Sequence, residues 1–488
     1  MDLKTEWVAL RRISILAGIN PVEYDCCVNS CIAYTEKYHD LRRCPICQEP
    51  RHTAQGRARR IFYYLPLIPR LQAFFQSPSM IEALSYRHQF IPSNNCICDV
   101  FDSQHYRTLL RENVEIDGQQ RPYKYFSGKD DIALSICTDA CCIFRRRRNG
   151  PSATPILLQI YNLPPKIRTH LTNLLCVGII PDHPGDIASF LSPLDNELAE
   201  LAFGVTTFHA LERILFDLRA YAILEHGDLL SIAKMLGIKG HNGYSPCRSC
   251  KTKGVRNISA KARTYYIPLR TPDLPHQTRP HADPRNLDLC QHSDFGVVLE
   301  RIASEVRQDV RKHLAMYHGI REQAAVIRVK SINLAKSIAW DWMHLLCENI
   351  CPNMFDLWSG RFKGLKNGHF DYVILENVWI EIGNETANAT RHIPAAFVRV
   401  LGDIAQDRSG FTAESWAFWF MYIAPIVLKG RFPKKRYYKH MCALVKIMKT
   451  TVKYELTHAE IDELEQEIIY WVEKYEKYVV CIDRTNCY

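Results

Sequence analysis

Apolar positions change rhythm along the chain, and each change predicts a different kind of element. Short continuous apolar runs bounded by polar residues predict buried strands at DIALSIC (131–137), TPILLQIYNL (154–163) and NLLCVGIIP (173–181). RILFDLRAYAIL (213–224) predicts a fourth strand. Between the third and fourth, DIASFLSPLDNELAELAFGV (186–205) has apolar residues at helical spacing, and DLLSIAKMLG (228–237) predicts a helix ended by Gly237. Helical patterns dominate 331–355 and 411–480. Within the latter, THAEIDELEQEIIYWVEKYEKYV (457–479) predicts an amphipathic helix opened by Thr457, with Glu460 completing a capping box. WAFWFMYIAPIVL (416–428) is shorter than the ~20 residues that span a bilayer and contains Pro425, so it predicts a buried helix.

Three strands, a helix, a strand and a helix is the element order of an RNase H-like core. The expected fold class is therefore α/β: an RNase H-like core with an N-terminal zinc-binding module, a zinc-knuckle insertion and a helical C-terminal region. The expected organisation is a Cys-rich module and basic linker over 1–60 and a connecting helical and aromatic region over 61–129. The core follows over 130–254. An insertion rich in Pro, His and Arg fills 255–330, and a helical region runs over 331–488.

Composition narrows the class. The 488 residues are 47% hydrophobic and 23% charged, a globular balance and not a disordered one. A net charge of +10 permits a polyanionic partner without requiring one. The opening MDLKTEWVALRRISILAG has acids and arginines where the apolar core of a signal peptide would run, so no signal peptide is expected. Nineteen cysteines then read as metal ligands and core residues in a reducing, intracellular compartment.

Three constellations carry candidate chemistry. YDCCVNSCIAYTEKYHDLRRCPICQEPR spaces Cys27, Cys31, Cys44 and Cys47 as two short pairs, which can place four thiolates around one Zn²⁺; Cys26 is an alternative to Cys27. Cys247 and Cys250 form a further Cys-x-x-Cys pair that needs ligands from elsewhere. Asp139 and Asp228 each follow a predicted strand, and the first and fourth strands of an RNase H-like sheet are parallel neighbours. Such acids can share hard cations and support phosphodiester chemistry, although Asp228 also reads as a helix N-cap. In SIAWDWMHLLCENICPNMFDLW (337–358), Asp341, His344 and Glu348 share one helical face, with Trp342, Leu345 and Leu346 on another; a solvated stripe is the plain alternative.

These strings resemble CACTA (En/Spm)-type DDE transposases, especially the fungal Plavaka-like branch. The resemblance rests on the Cys-rich module, DIALSICTDACCIF, HGDLLSIAKMLGIKGHNGYSPCRSCKTKGV, YHGI, WDWMHLLCENI and FTAESWAFWFMYIAPIVLKGRF. It implies metal-dependent DNA hydrolysis and strand transfer, with Asp139, Asp228 and Glu348 as catalytic acids and Mg²⁺ or Mn²⁺ as cofactor. It also implies a structural internal Zn²⁺ held by Cys247, Cys250 and His344, with His318 and Asp341 as further candidates. The implied partners are double-stranded DNA at transposon ends and target, and a second copy of the chain, in the nucleus. No membrane and no small-molecule substrate are expected. Two departures stand out. Ala140 replaces the family's Gly after the first acid, and Arg145, Arg146, Arg147 and Arg148 follow it, as phosphate contacts or as a solvated basic turn. The family also continues beyond CIDRTNCY, so a truncated, catalytically inactive DNA- or protein-binding zinc protein is the alternative reading.

Overall fold

The computed structural model describes residues 20–142, 152–255, 267–270, 281–362 and 370–480. It is a mixed α/β protein that divides into two compact units. The first comprises residues up to 92, 99–251 and 289–339; the second comprises 93–98, 252–288 and 340 onward. Arg145–Arg148 lie outside the described residues.

The first unit is built on a seven-stranded mixed sheet. Its main strands are β1 (Val22–Asp25), β2 (Ile61–Tyr64), β3 (Ile132–Thr138), β4 (Ser152–Ile160), β5 (Leu175–Pro181) and, after the β6–β7 hairpin below, β8 (Ala220–His226). They lie in the order β1-β2-β5-β4-β3-β8, and Cys141–Cys142 adds a short strand against β4. Only β3 and β8 pair in parallel; the other pairs are antiparallel. Strand β3 is buried on both faces, which explains its unbroken apolar run. Ile132, Leu134 and Ile136 join one core cluster, whereas Ala133 joins a second on the opposite face.

The run 213–224 is two strands. β6 (Val205–His209) and β7 (Ile214–Leu218) form an antiparallel hairpin, and β8 starts afresh at Ala220. The break is Arg219, whose guanidinium lies 4.3 Å from the Tyr123 ring centroid while its carbonyl accepts from Ile132 N at 2.8 Å. Helix α1 (Ile187–Phe203) covers the sheet with Phe190, Leu194, Leu198 and Leu201. Its N-cap is Asp186, which accepts from Ala188 N. Helix α2 (Leu229–Met235) follows β8 and stops before Gly237, whose φ is +63°.

The segment 255–330 contains more order than its composition suggests. Helices α3 (His292–Ser304) and α4 (Gln308–His318) occupy its second half, and α3 opens with a capping box between Gln291 and Asp294. Residues 331–342 are largely non-helical. Ser337 O accepts from Glu225 N at 3.0 Å, and Ile338 bridges Glu225 in parallel, so this stretch extends the edge of β8.

Glu225 is 1% exposed, and its Oε2 has no hydrogen-bond partner. Burial pushes its carboxyl up to about 8. Because the folded value lies above the unfolded one, the neutral acid's contribution is fully present below the ordinary glutamate range. It is lost as pH rises towards about 8, with a slope of at most about 1.4 kcal/mol per pH unit. Glu225→Gln should therefore match the wild type in urea melts at about pH 4 and become progressively more stable by pH 8. Parallel pH profiles for the two proteins would show that Glu225 ionises freely in the fold.

The second unit is helical and aromatic. A π-helical segment (Met343–Ile350) runs into α5 (Cys351–Trp358), followed by α6 (Glu376–Thr390) and α7 (Ala413–Phe418). From α7 a π turn at Trp419–Ile423 leads to a last helical turn, Ala424–Val427. Helices α8 (Lys435–Thr451) and α9 (His458–Tyr475) complete it. The Thr457–Glu460 capping box forms as the sequence predicts. Trp419 is fully buried and donates through Nε1 to Thr386 Oγ1 at 3.1 Å, so the 416–428 run is core. Among the described residues no helix is long and apolar enough to cross a membrane.

Candidate functional site

The cysteine module is built from two tight turns. In the first, Ser30 takes φ +55° between Cys27 and Cys31; in the second, Gln48 takes φ +62° just after Cys47. Each turn folds its pair of sulfurs to one side, and Asn29 N points at Cys27 Sγ from 3.4 Å. The sulfurs of Cys27, Cys31, Cys44 and Cys47 lie within 4.8 Å of one another, and Cys27 Sγ and Cys47 Sγ are 3.4 Å apart. Four thiolates at about 2.3 Å from a tetrahedral ion stand roughly 3.8 Å apart, so this donor set fits zinc. Burial works against ionisation of Cys47, but the Glu49 amide and neighbouring donors bring its thiol down to about 7.

Cys27, not Cys26, is the ligand candidate. Consecutive residues of an extended segment face opposite ways. Cys26 packs into the main core, where burial raises its thiol to about 12.

The module is seated on the sheet. Gly185 N donates to Ser30 O at 3.1 Å and Asp186 N to Cys31 O at 2.7 Å. Ser30 Oγ donates to Pro181 O at the end of β5. A Cβ on Gly185 would meet Cys31 O at 2.7 Å, so glycine permits the close approach. The basic stretch 51–60 is also folded. Arg51 pairs with Asp25 at 2.6 Å, and Arg60 donates to Val28 O at 2.7 Å.

Asp139 and Asp228 stand at neighbouring strand ends. The last registered pair of the parallel ladder is Cys137 with His226, so each acid lies two residues beyond it. A Cβ on Gly227 would come within 2.8 Å of Thr138 O, so the two backbones remain in contact just before the acids. Asp139 is exposed and Asp228 partly so. Asp228 does cap α2, accepting Ser231 N through Oδ1 at 2.6 Å. That bond occupies one carboxylate oxygen. Ala140 is absent from the positive-φ residues, so this position does not demand glycine for its backbone conformation.

Cys247 and Cys250 form a compact knuckle in which Ser249 N and Cys250 N both point at Cys247 Sγ from 3.4 Å. The side chain of Cys250, followed by burial, raises the Cys247 thiol. The loop before it abuts the end of α4. Ser245 Oγ donates to Tyr317 O at 2.6 Å, and a Cβ on Gly319 would meet Ser245 O at 2.3 Å. His318 therefore ends a helix held beside the knuckle loop. Cys290, which sequence reading passed over, also comes here: its amide donates to Ser249 O at 3.0 Å, next to the Cys250–Leu289 bridge. Only an isolated cysteine in a His- and Arg-rich segment was visible in the sequence.

Asp341, His344 and Glu348 belong to the second unit and converge within it. Asp341 accepts His344 N at 3.0 Å and faces His344 Nδ1 at 2.7 Å; His344 Nε2 lies 3.7 Å from Glu348. Burial works against the Asp341 carboxylate, but the His344 amide and ring hold it below the ordinary range. The segment is π-helical, which alters the expected apolar face: Leu346 and Cys347 are buried, whereas Leu345 is 37% exposed.

Comparison with known families bears on residues of both units, chiefly the first. Residues 113–285 match the model described as transposase family tnp2. The match covers less than half of the chain and supports a transposase family for it. It includes Asp139, Asp228, Cys247 and Cys250. Among curated proteins no relative matches the chain.

Proposed function

We propose that the chain is a transposon-derived DDE transposase of the CACTA, Plavaka-like branch, with an RNase H-like core that cuts and joins DNA. One observation carries the reading: Asp139 and Asp228 occupy equal register at the ends of two adjacent parallel strands. Neighbouring strands lie about 4.8 Å apart, so their side chains can reach one site. The strand order β5-β4-β3-β8, with β3 parallel only to β8, supports the RNase H-like assignment. Magnesium or manganese, when bound, would supply activation of water and charge neutralisation at the scissile phosphate. Oxygen donors of two carboxylates fit these hard cations. Asp228 is held by its cap to α2, so its free oxygen is pre-positioned; exposed Asp139 faces solvent where DNA would approach. In this reading, which follows the family resemblance, Glu348 is the third acid and the chain acts in the nucleus as an oligomer on double-stranded DNA. Zinc at Cys27, Cys31, Cys44 and Cys47 would be structural, because protein fills all four positions. The resemblance assigns a second structural zinc to Cys247 and Cys250.

The test is nicking of supercoiled plasmid by the purified full chain. Manganese-dependent nicking that disappears in Asp228→Asn is expected. A folded, zinc-loaded wild type that leaves the plasmid intact would favour the binding-only alternative.

A further inference from the structure

Between Glu414 and Glu455 the chain has no acidic residue, yet it carries nine lysines and arginines. Within the second unit several of these charges are answered from other segments. Arg431 pairs with Glu381 and Glu385, Lys434 and Arg436 with Asp371, Lys446 with Glu463 and Glu467, and Lys453 with Glu460. Lys429, Lys435 and Lys439 are exposed and make no ion pair or side-chain hydrogen bond with any described residue. Lys435 and Lys439 lie one turn apart on α8, on the same helical stripe as Lys446 and Lys449.

This surface also presents ring and aliphatic groups. Lys449 Nζ sits 4.9 Å from the Tyr422 ring centroid; Tyr422 is 50% exposed and Ile426 72%. Tyr438 OH donates to Pro425 O at 2.7 Å, which fastens the first half of α8 beside the segment bearing Tyr422, Ile426 and Lys429. Helix stability does not account for the charges. Lysines in the opening turn of a helix oppose its dipole and are unfavourable there. Nor does solubility, which is served by mixed signs and not by an acid-free stretch.

We infer that this face of α8 and the preceding turn tracks the phosphate backbone of double-stranded DNA, with Lys429, Lys435 and Lys439 as phosphate contacts. Charge complementarity selects the partner class, since the free cations have no protein counterion and a duplex offers a dense row of phosphates. The inference rests on the reading of the chain as acting on DNA. It concerns binding and does not depend on cleavage.

The test is fluorescence anisotropy of a duplex of about 30 base pairs with the full zinc-loaded chain, over about 50–200 mM salt and without added magnesium or manganese. The triple variant Lys429→Gln/Lys435→Gln/Lys439→Gln should bind at least ~10-fold more weakly at low salt. Its slope of log affinity against log salt should be shallower by about 2.7, near 0.9 per lost contact. Lys446→Gln, which removes an ion-paired neighbour on the same helix, should leave the slope nearly unchanged. A triple variant with the wild-type slope overturns the surface, and so does a wild type with no affinity for duplex. A single-stranded RNA of equal length that binds as tightly, and is lost equally in the triple variant, would make this a general polyanion surface and overturn the duplex assignment. Plasmid nicking separates the two readings. Nicking with an unaltered slope removes only this surface, and the predicted slope change without nicking removes only the enzyme.

Discussion

Replacing Cys44 with Ser should remove one zinc per chain and loosen the first unit. Zinc by metal analysis and the melting curve of the purified chain are the readouts. Cys44 is fully buried, and its amide donates to Glu49 O at 2.9 Å while its carbonyl accepts from Gln48 N at 2.9 Å. The turn is therefore formed by backbone bonds, and the ion would close it from the sulfur side. Structural zinc contributes roughly 10–16 kcal/mol of apparent binding free energy in small zinc peptides near neutral pH. The loss here should be smaller, because Cys31 O, Ser30 and Arg60 also hold the module on the sheet. A fall of several degrees in the melting temperature is the expected scale for a few kcal/mol. Cys26→Ala is the control: it opens a small cavity in the main core and should lower stability while retaining the metal. An unchanged zinc content in Cys44→Ser, or a zinc loss equal in Cys26→Ala, would remove Cys44 from the ligand set.

The elements that were legible in the sequence are those whose signal is local, an apolar run or a cap. β3, β4 and β5 stand within a few residues of their predicted limits: β3 is buried on both faces, whereas β4 and β5 alternate buried with partly exposed positions yet carry apolar residues on both faces. The α9 cap was legible because its bonds are local in sequence. What failed depends on long-range partners. The β7–β8 break follows from Arg219 finding Tyr123, almost a hundred residues away in the chain. Cys27, the ligand chosen from the thiol spacing, does join the cluster; only the exclusion of Cys26 needed the fold, because it depends on which side of the segment faces the core. Helices α3 and α4 were hidden by the Pro-, His- and Arg-rich character of the segment's first half. The π-helical geometry around His344 leaves no signature in a pattern read at 3.6 residues per turn. The candidate acids were legible only as residues following strands. Their equal register needed the parallel pairing of β3 with β8.

Asp139→Asn and Asp228→Asn should each reduce manganese-dependent nicking by on the order of 10³-fold or more, about 4 kcal/mol of transition-state stabilisation. Asparagine keeps the size of aspartate and a carbonyl oxygen but loses the charge that binds a divalent cation. At position 228 the substitution separates two roles. Asn caps helices about as well as Asp, so Ser231 N keeps its acceptor and α2 should stay intact. Asp228→Ala removes the cap as well and should cost a further ~1 kcal/mol of stability. Asp139 is exposed at the end of β3, so its Asn variant should fold like the wild type. If the two acids serve one ion site, the double variant should be no slower than either single one, because each already destroys the unit. Glu348→Gln should match them if it is the third acid. Asp228→Asn that nicks at the wild-type rate while Asp228→Ala does not would assign Asp228 to capping alone and end the case for a two-aspartate centre.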